Sequence, residues 1–183
     1  MISIYVLLIL SSLAARDMSG YKLRIIWENM DIPRHKVTNS AIYPVLKQLE
    51  QQGDIALRET DSARDEKVAH LLPQGMAHLK QLLQQPVPRN TKTESIYRCK
   101  IRALPAVEPA LQRQILLAYR EFVQEDLTHY HIGEEHVRQE QADVPTNDYF
   151  TWGIRNIHLN QQLSQTKLDW IETQLKELDH EKE

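Results

Sequence analysis

Apolar residues recur at helical spacing in five stretches of the chain, and strand-like alternation interrupts them once. Ile2, Tyr5, Leu8 and Ile9 open the series within "MISIYVLLILSSLAA"; Leu23, Ile26, Trp27 and Met30 follow within "YKLRIIWENM". A third stripe, Ile42, Val45, Leu46 and Leu49, sits at i, i+3, i+4 and i+7 and predicts a helix over about 38–52. Then "IALRET" and "KVAHLL" flank the polar "DSARDE", a pattern that predicts two short strands around a turn. "MAHLKQLLQQ" returns to helical spacing, and the last stretch runs from Phe150 to Leu178.

Punctuation between these stretches sharpens their ends. Ser19 is placed to cap the second helix, Pro33 in "DIPRHKV" forbids its continuation, and Gly53 stands where a helix ends. Pro73 and Gly75 lead into the fourth helix, and "QPVPRNTK" is a proline-containing connector of little apolar content. Three helices followed by a hairpin are the element order of a winged helix-turn-helix. The expected fold is mainly α with a small β-hairpin. Residues 1–84 form the winged helix-turn-helix domain, 85–92 a linker, and 93–183 a C-terminal helical dimerisation region ending in a long helix.

The first stripe admits a rival reading as a secretory signal. No basic residue precedes its apolar run, which is too short to span a bilayer, and the preferred reading is a buried first helix. Composition then narrows the class. With 183 residues, 42% hydrophobic content, 26% charge and five glycines, the chain is expected to be a helix-rich soluble protein with a real core. Its single cysteine, Cys99, cannot form an internal disulfide, which fits a reducing, cytoplasmic setting without membrane association. The net charge of −3 gives no global sign of nucleic-acid binding, but the acidic excess lies in the second half.

Three segments carry a resemblance to a known family. "SGYKL", "IYPVLKQLEQQGDI" and the hairpin ending "HLLPQG" resemble the N-terminal domain of PadR-family bacterial transcription regulators. The family's third helix carries a leucine-tyrosine-proline pattern followed by an apolar ladder and a glycine. "YFTWGIRNIHLNQQLSQTKLDWIETQLKEL" is similar to the family's long final helix, so the likeness covers most of the chain. There are two departures: no glycine occurs in the wing turn at 61–66, and Pro73 stands where a threonine cap is more usual. The resemblance implies a repressor that binds double-stranded operator DNA as a homodimer. It also implies, for some members, release by a small aromatic effector such as a phenolic acid. It adds Ser19, Tyr21 and Lys22, in and beside "SGYKL", as candidate DNA contacts.

Pro44 is the position that local physics questions most. A proline in a helix interior removes a backbone hydrogen bond and costs roughly 3 kcal/mol. In a helix-turn-helix, however, the second helix enters the major groove by its N-terminal end, where free N–H groups and the positive dipole end suit phosphates and base edges. Thr38, Asn39 and Ser40 supply a cap and short polar side chains there, Tyr43 is free to point outward, and Lys47 lies one turn on. Proline is tolerable if the helix packs with Val45–Leu49 and reads with Thr38–Tyr43. Arg58, Arg64 and Lys67 on the wing are candidates for backbone phosphate contacts, which position without reading sequence. Glu59, Asp61, Asp65 and Glu66 work against them.

Phe150, Ile154, Ile157, Gln161, Ser164, Leu168, Ile171, Leu175 and Leu178 alternate spacings of four and three, a heptad seam. Trp152, Leu159, Leu163 and Trp170 form a second apolar face. A helix apolar on two faces needs two partners. The seam's apolar members are expected to dimerise, with Ile2, Tyr5 and Ile9 of a partner's first helix packed against them.

Catalytic readings find little support. The chain has no glycine-rich phosphate loop, nucleophile elbow or paired-cysteine motif, so no enzymatic activity and no cofactor is expected. "HYHIGEEH" gathers His129, His131, Glu135 and His136, and a metal- or redox-sensing regulator built on these or on Cys99 is the third and less favoured functional class. The main rival is a helical adaptor whose winged domain binds protein instead of DNA.

Overall fold

The structure, a computed structural model, describes residues 3–30, 38–59, 67–143 and 148–180, with only the backbone of Met30 and Asn39 among residues named above. Ile2, Pro33, Arg64 and the acidic tip residues Asp61, Asp65 and Glu66 lie outside the described residues. The elements are α1 (Ile4–Ala15), β1 (Met18–Ser19), α2 (Gly20–Met30), α3 (Asn39–Gln51), β2 (Ile55–Glu59), β3 (Lys67–Leu71), α4 (Pro73–Gln84), α5 (Thr93–Ala103), a 3-10 turn at Leu104–Ala106, α6 (Pro109–Asp143) and α7 (Asp148–His180). They divide into two compact units, Met1–Gln112 and Arg113–Glu183.

In the first unit α1 is the central helix. It packs on α3, α4, α5 and β3, and every residue from Val6 to Leu13 is buried. Ser3 caps it, its Oγ accepting from Val6 N at 3.5 Å. A helix this apolar on all sides belongs in a core. Around it Leu23 and Trp27 of α2, and Ile42, Leu46 and Leu49 of α3, are buried, as their spacing predicts.

The predicted hairpin is one strand short of the sheet. Its order is β1-β3-β2, all antiparallel, with Ile55 opposite Leu71 and Glu59 opposite Lys67. The added strand is two residues long, Met18 and Ser19 facing Ala69 and Val68, too short to leave a periodic signal.

Chain reversals follow the residues marked for them. At the end of α3, Gly53 takes φ +77°, its N–H bonds Glu50 O at 3.0 Å, and Asp54 N–H bonds Leu49 O at 2.9 Å. These two bonds make a Schellman cap, which favours glycine. Pro73 occupies the first turn of α4, where its missing N–H costs nothing.

The first compact unit runs past the 85–92 connector, because α5 docks on α1. Thr93 Oγ1 lies 2.6 Å from Pro88 O and accepts from Asn90 N at 2.8 Å, which folds the connector onto the start of α5. Lys100, only 3% exposed, donates from Nζ to Leu83 O (2.7 Å) and Gln85 O (2.5 Å), a cation at the C-terminus of α4. Burial pushes its ammonium from an ordinary 10.5 down to about 8. Between those values the unfolded chain binds more protons than the folded one, so stability rises with pH there. The neutral amine still has two N–H donors for the two carbonyls. Denaturant unfolding at pH 7 and pH 10 is expected to show wild type gaining stability relative to Lys100→Met, which lacks the titrating group.

The second unit is an antiparallel helical hairpin of α6 and α7. Arg113 binds Asp179 at 2.6 Å, Arg120 binds Glu172 at 3.0 Å, and Gln141 donates to Thr151 at 3.3 Å.

Candidate nucleic-acid interface

The N-terminus of α2 and the first half of α3 meet at one glycine. A Cβ on Gly20 would stand 3.2 Å from Tyr43 Cε1 and Cζ and 3.2 Å from Leu46 Cδ1. The Tyr43 ring therefore lies over the first residue of α2 while remaining 52% exposed. Pro44 beside it is exposed. The carbonyl that Pro44 leaves without a helical donor is that of Ser40, an exposed residue open to water. The proline thus costs α3 little at this place, and α3 runs through it as one helix.

No described side chain is seen to cap the N-terminal end of α3. Thr38 occupies the N-cap position, yet its hydroxyl pairs with Ser40 Oγ at 2.7 Å and makes no capping bond. Thr38 O accepts from Ala41 N (3.0 Å) and Ile42 N (3.4 Å). Asn39 is the first helical residue. Thr38 thus does not supply the expected side-chain cap, and the side chain of Asn39 lies outside the described residues.

Tyr21, Lys22 and Lys47 are exposed, and Lys22 and Lys47 make no ion pair among the described residues. Arg24 leans over the Tyr21 ring at 5.3 Å and pairs with Glu28 at 3.0 Å. Ser19 departs from its expected role as a DNA contact. It is buried, and its Oγ accepts from Lys22 N at 3.3 Å, so it caps α2 as its sequence position also suggests. Lys67 stands 3.8 Å from Glu59 across the ladder, a carboxylate that competes with a phosphate for it; Arg58 is exposed.

Sequence reasoning missed the brace behind this surface. Asp54, buried at the turn from α3 to β2, pairs through Oδ2 with Nδ1 of His78 on α4 at 2.6 Å. Its carbonyl accepts from Leu72 N at 2.9 Å. Both partners are distant in sequence, and only the capping glycine before Asp54 hinted at a special turn.

The heptad seam of α7 requires a correction. Ile154, Leu168, Ile171 and Leu175 are buried within a single chain, and Phe150, Ile157 and Leu178 are half-buried. The polar seam residue Gln161 donates to Glu134 Oε2 of α6 at 2.9 Å, and His158 Nε2 lies 2.9 Å from Glu134 Oε1. Bonds from His158, Gln161 and Arg138 hold the Glu134 carboxyl down to about 2. The seam therefore sets the register of an intrachain hairpin. The second face is what remains open: Trp152, Leu159, Leu163 and Trp170 are between 41% and 65% exposed. On α1, Ile9 is fully buried in its own unit and has no surface to offer a partner, whereas Tyr5 is half-buried and packs on Trp27 at 5.9 Å.

His129, His131, Glu135 and His136 are exposed on α6, and among the described residues no group of three or more His, Cys, Asp or Glu side chains could hold a metal. Cys99 is fully buried. No helix among the described residues is long and apolar enough to cross a membrane.

A helix pair with an exposed polar end, braced beside a two-stranded wing, defines a winged helix-turn-helix unit, here joined to a long helical hairpin. Its structural neighbours are PadR-family transcriptional regulators. Bacillus subtilis PadR in complex with operator DNA shares 19% identity at a TM-score of 0.45, over 96% of this chain and 99% of that one. The same protein in complex with p-coumaric acid gives 18% and 0.40, over 98% of both chains. A PadR-like transcriptional regulator from Bacillus cereus gives 16% and 0.41, over 97% and 99%. No protein-family model matches the chain, and no curated protein matches its sequence.

Proposed function

We propose that this chain is a PadR-like transcription regulator, a repressor, that binds operator DNA as a homodimer. The observation that carries this reading is the exposed end of α3, where Ser40, Tyr43 and Lys47 face solvent beside Tyr21 and Lys22. Hydroxyls, a helix N-terminus and lysines without an ion pair among the described residues are groups that hold phosphates and read base edges. The outward α7 face supplies the self-association that places two such ends on one duplex. Release by a small aromatic effector, a phenolic acid being the type the sequence resemblance implies, is the regulatory half of the proposal.

Mobility shift with the DNA upstream of the protein's own gene tests the reading, and affinity is expected to fall steeply with salt. A helical adaptor would show no such binding. Tyr43→Ala is expected to weaken specific binding by about 1–3 kcal/mol, the scale of a good base-edge contact. Because the ring is half exposed, the thermal melt should move little. Unchanged operator affinity would assign Tyr43 a packing role over Gly20 alone. Addition of p-coumaric acid to the same complex tests effector release.

A further inference from the structure

We propose that the end of the α6–α7 hairpin is a binding site for a hydrophobic organic cation, an aromatic or alkyl ammonium. A cavity of about 540 Å³ lies there, walled by Val137 and Glu140 of α6 and by Asp148, Tyr149, Trp152 and Gly153 of α7, with Phe150 beside them. That volume lies in the range of small-molecule sites. Gln141 and Thr151, bonded at 3.3 Å, tie the two helices together next to it.

The wall has only two chemical characters. Three of its side chains are aromatic, with Tyr149 and Phe150 set edge to face at 5.6 Å and 77°. Among the described residues its charged side chains are the carboxylates of Glu140 and Asp148. An aromatic acid would bring a third negative charge against those two, whereas an ammonium meets both carboxylates and the negative faces of the rings. The chain already uses Trp152 in this way: Arg155 sits 4.6 Å from its ring centroid. Arg155 is not among the described residues that line the cavity. His136 stands 3.9 Å from Glu140 and is itself exposed.

Gly153 keeps the space open. A Cβ there would meet Val137 Cγ1 at 3.8 Å, an ordinary contact, so alanine fits while a longer side chain extends between the helices.

The site stands whether or not the chain binds DNA, and its test uses no DNA. The full-length protein is titrated with benzyltrimethylammonium, benzyl alcohol and phenylacetate, read by tryptophan fluorescence and calorimetry. Saturable binding of the cation is expected, with the alcohol about tenfold weaker and the anion weaker still. Glu140→Gln with Asp148→Asn is expected to reduce cation affinity about tenfold and leave the alcohol unchanged. Gly153→Leu is expected to abolish both, and the conservative double variant keeps the test valid if the leucine variant fails to fold. Equal binding of cation and anion, no saturable cation binding, or an indifferent double variant would each overturn the proposal.

Discussion

Gly75→Ala should leave the N-terminal unit largely unfolded at temperatures where the wild type is native. A Cβ at Gly75 would lie 2.1 Å from the Asp54 carbonyl oxygen, 2.9 Å from its carbon and 2.8 Å from Leu71 Cδ1. The first two are backbone atoms and cannot swing aside. Asp54 is also fixed from three directions: its N–H closes α3, its carbonyl accepts from Leu72, and its carboxylate holds His78. Relief of the clash requires α4 to move off the turn and break those bonds. Overpacking a core commonly costs about 1–3 kcal/mol, and a rigid neighbour puts this case at or beyond the upper end. Against a total of about 5–15 kcal/mol, the melting temperature should fall by at least about 10 °C. Gly133→Ala is the control. Nothing lies within 4 Å of its Cβ position, so it should be neutral or raise stability through helix propensity. Equal melts for the two variants would mean that α4 does not press on Asp54.

The contrast between those glycines shows where the sequence is readable. Gly53 is legible, because a glycine after an apolar ladder announces a helix end without reference to anything distant. Gly75 is not, since its constraint comes from a carbonyl 21 positions away. The same division runs through the interface. Helical spacing put Ile42, Leu46 and Leu49 inward and so left Tyr43 and Lys47 outward, as the structure has them. It could not separate a serine that caps from one that touches DNA, and Ser19 proved to be the former. Periodicity also identified the α7 seam, yet a heptad pattern states only that a stripe must be covered. The covering residues were invisible until Glu134, 27 positions from Gln161, was seen to bind it.

Leu159→Asp with Leu163→Asp should give a monomer whose hairpin is intact and whose operator binding is lost. Leu159 and Leu163 are one helical turn apart on the face that also carries Trp170, and all three are exposed in the single chain. Contiguous apolar surface of this kind marks an interaction site, and each large side chain contributes roughly 1.5–3 kcal/mol when fully buried. Two carboxylates placed at the centre of such an interface would be desolvated without partners, a cost that exceeds the burial gain. In the monomer those same aspartates lie in water on the outside of α7, so helix content and the thermal melt should stay near wild type. Leu168→Asp with Leu175→Asp should behave in the opposite order, because both leucines are buried inside the chain. There the hairpin itself is lost, and any loss of association is secondary. Operator binding should follow the oligomeric state, since two reading helices need half-sites about one helical turn, roughly 34–36 Å, apart. Light scattering with circular dichroism on the two double variants and the wild type decides the matter. A wild-type monomer at micromolar concentration would sink the dimer, and a dimer surviving Leu159→Asp with Leu163→Asp would move the interface off this face of α7.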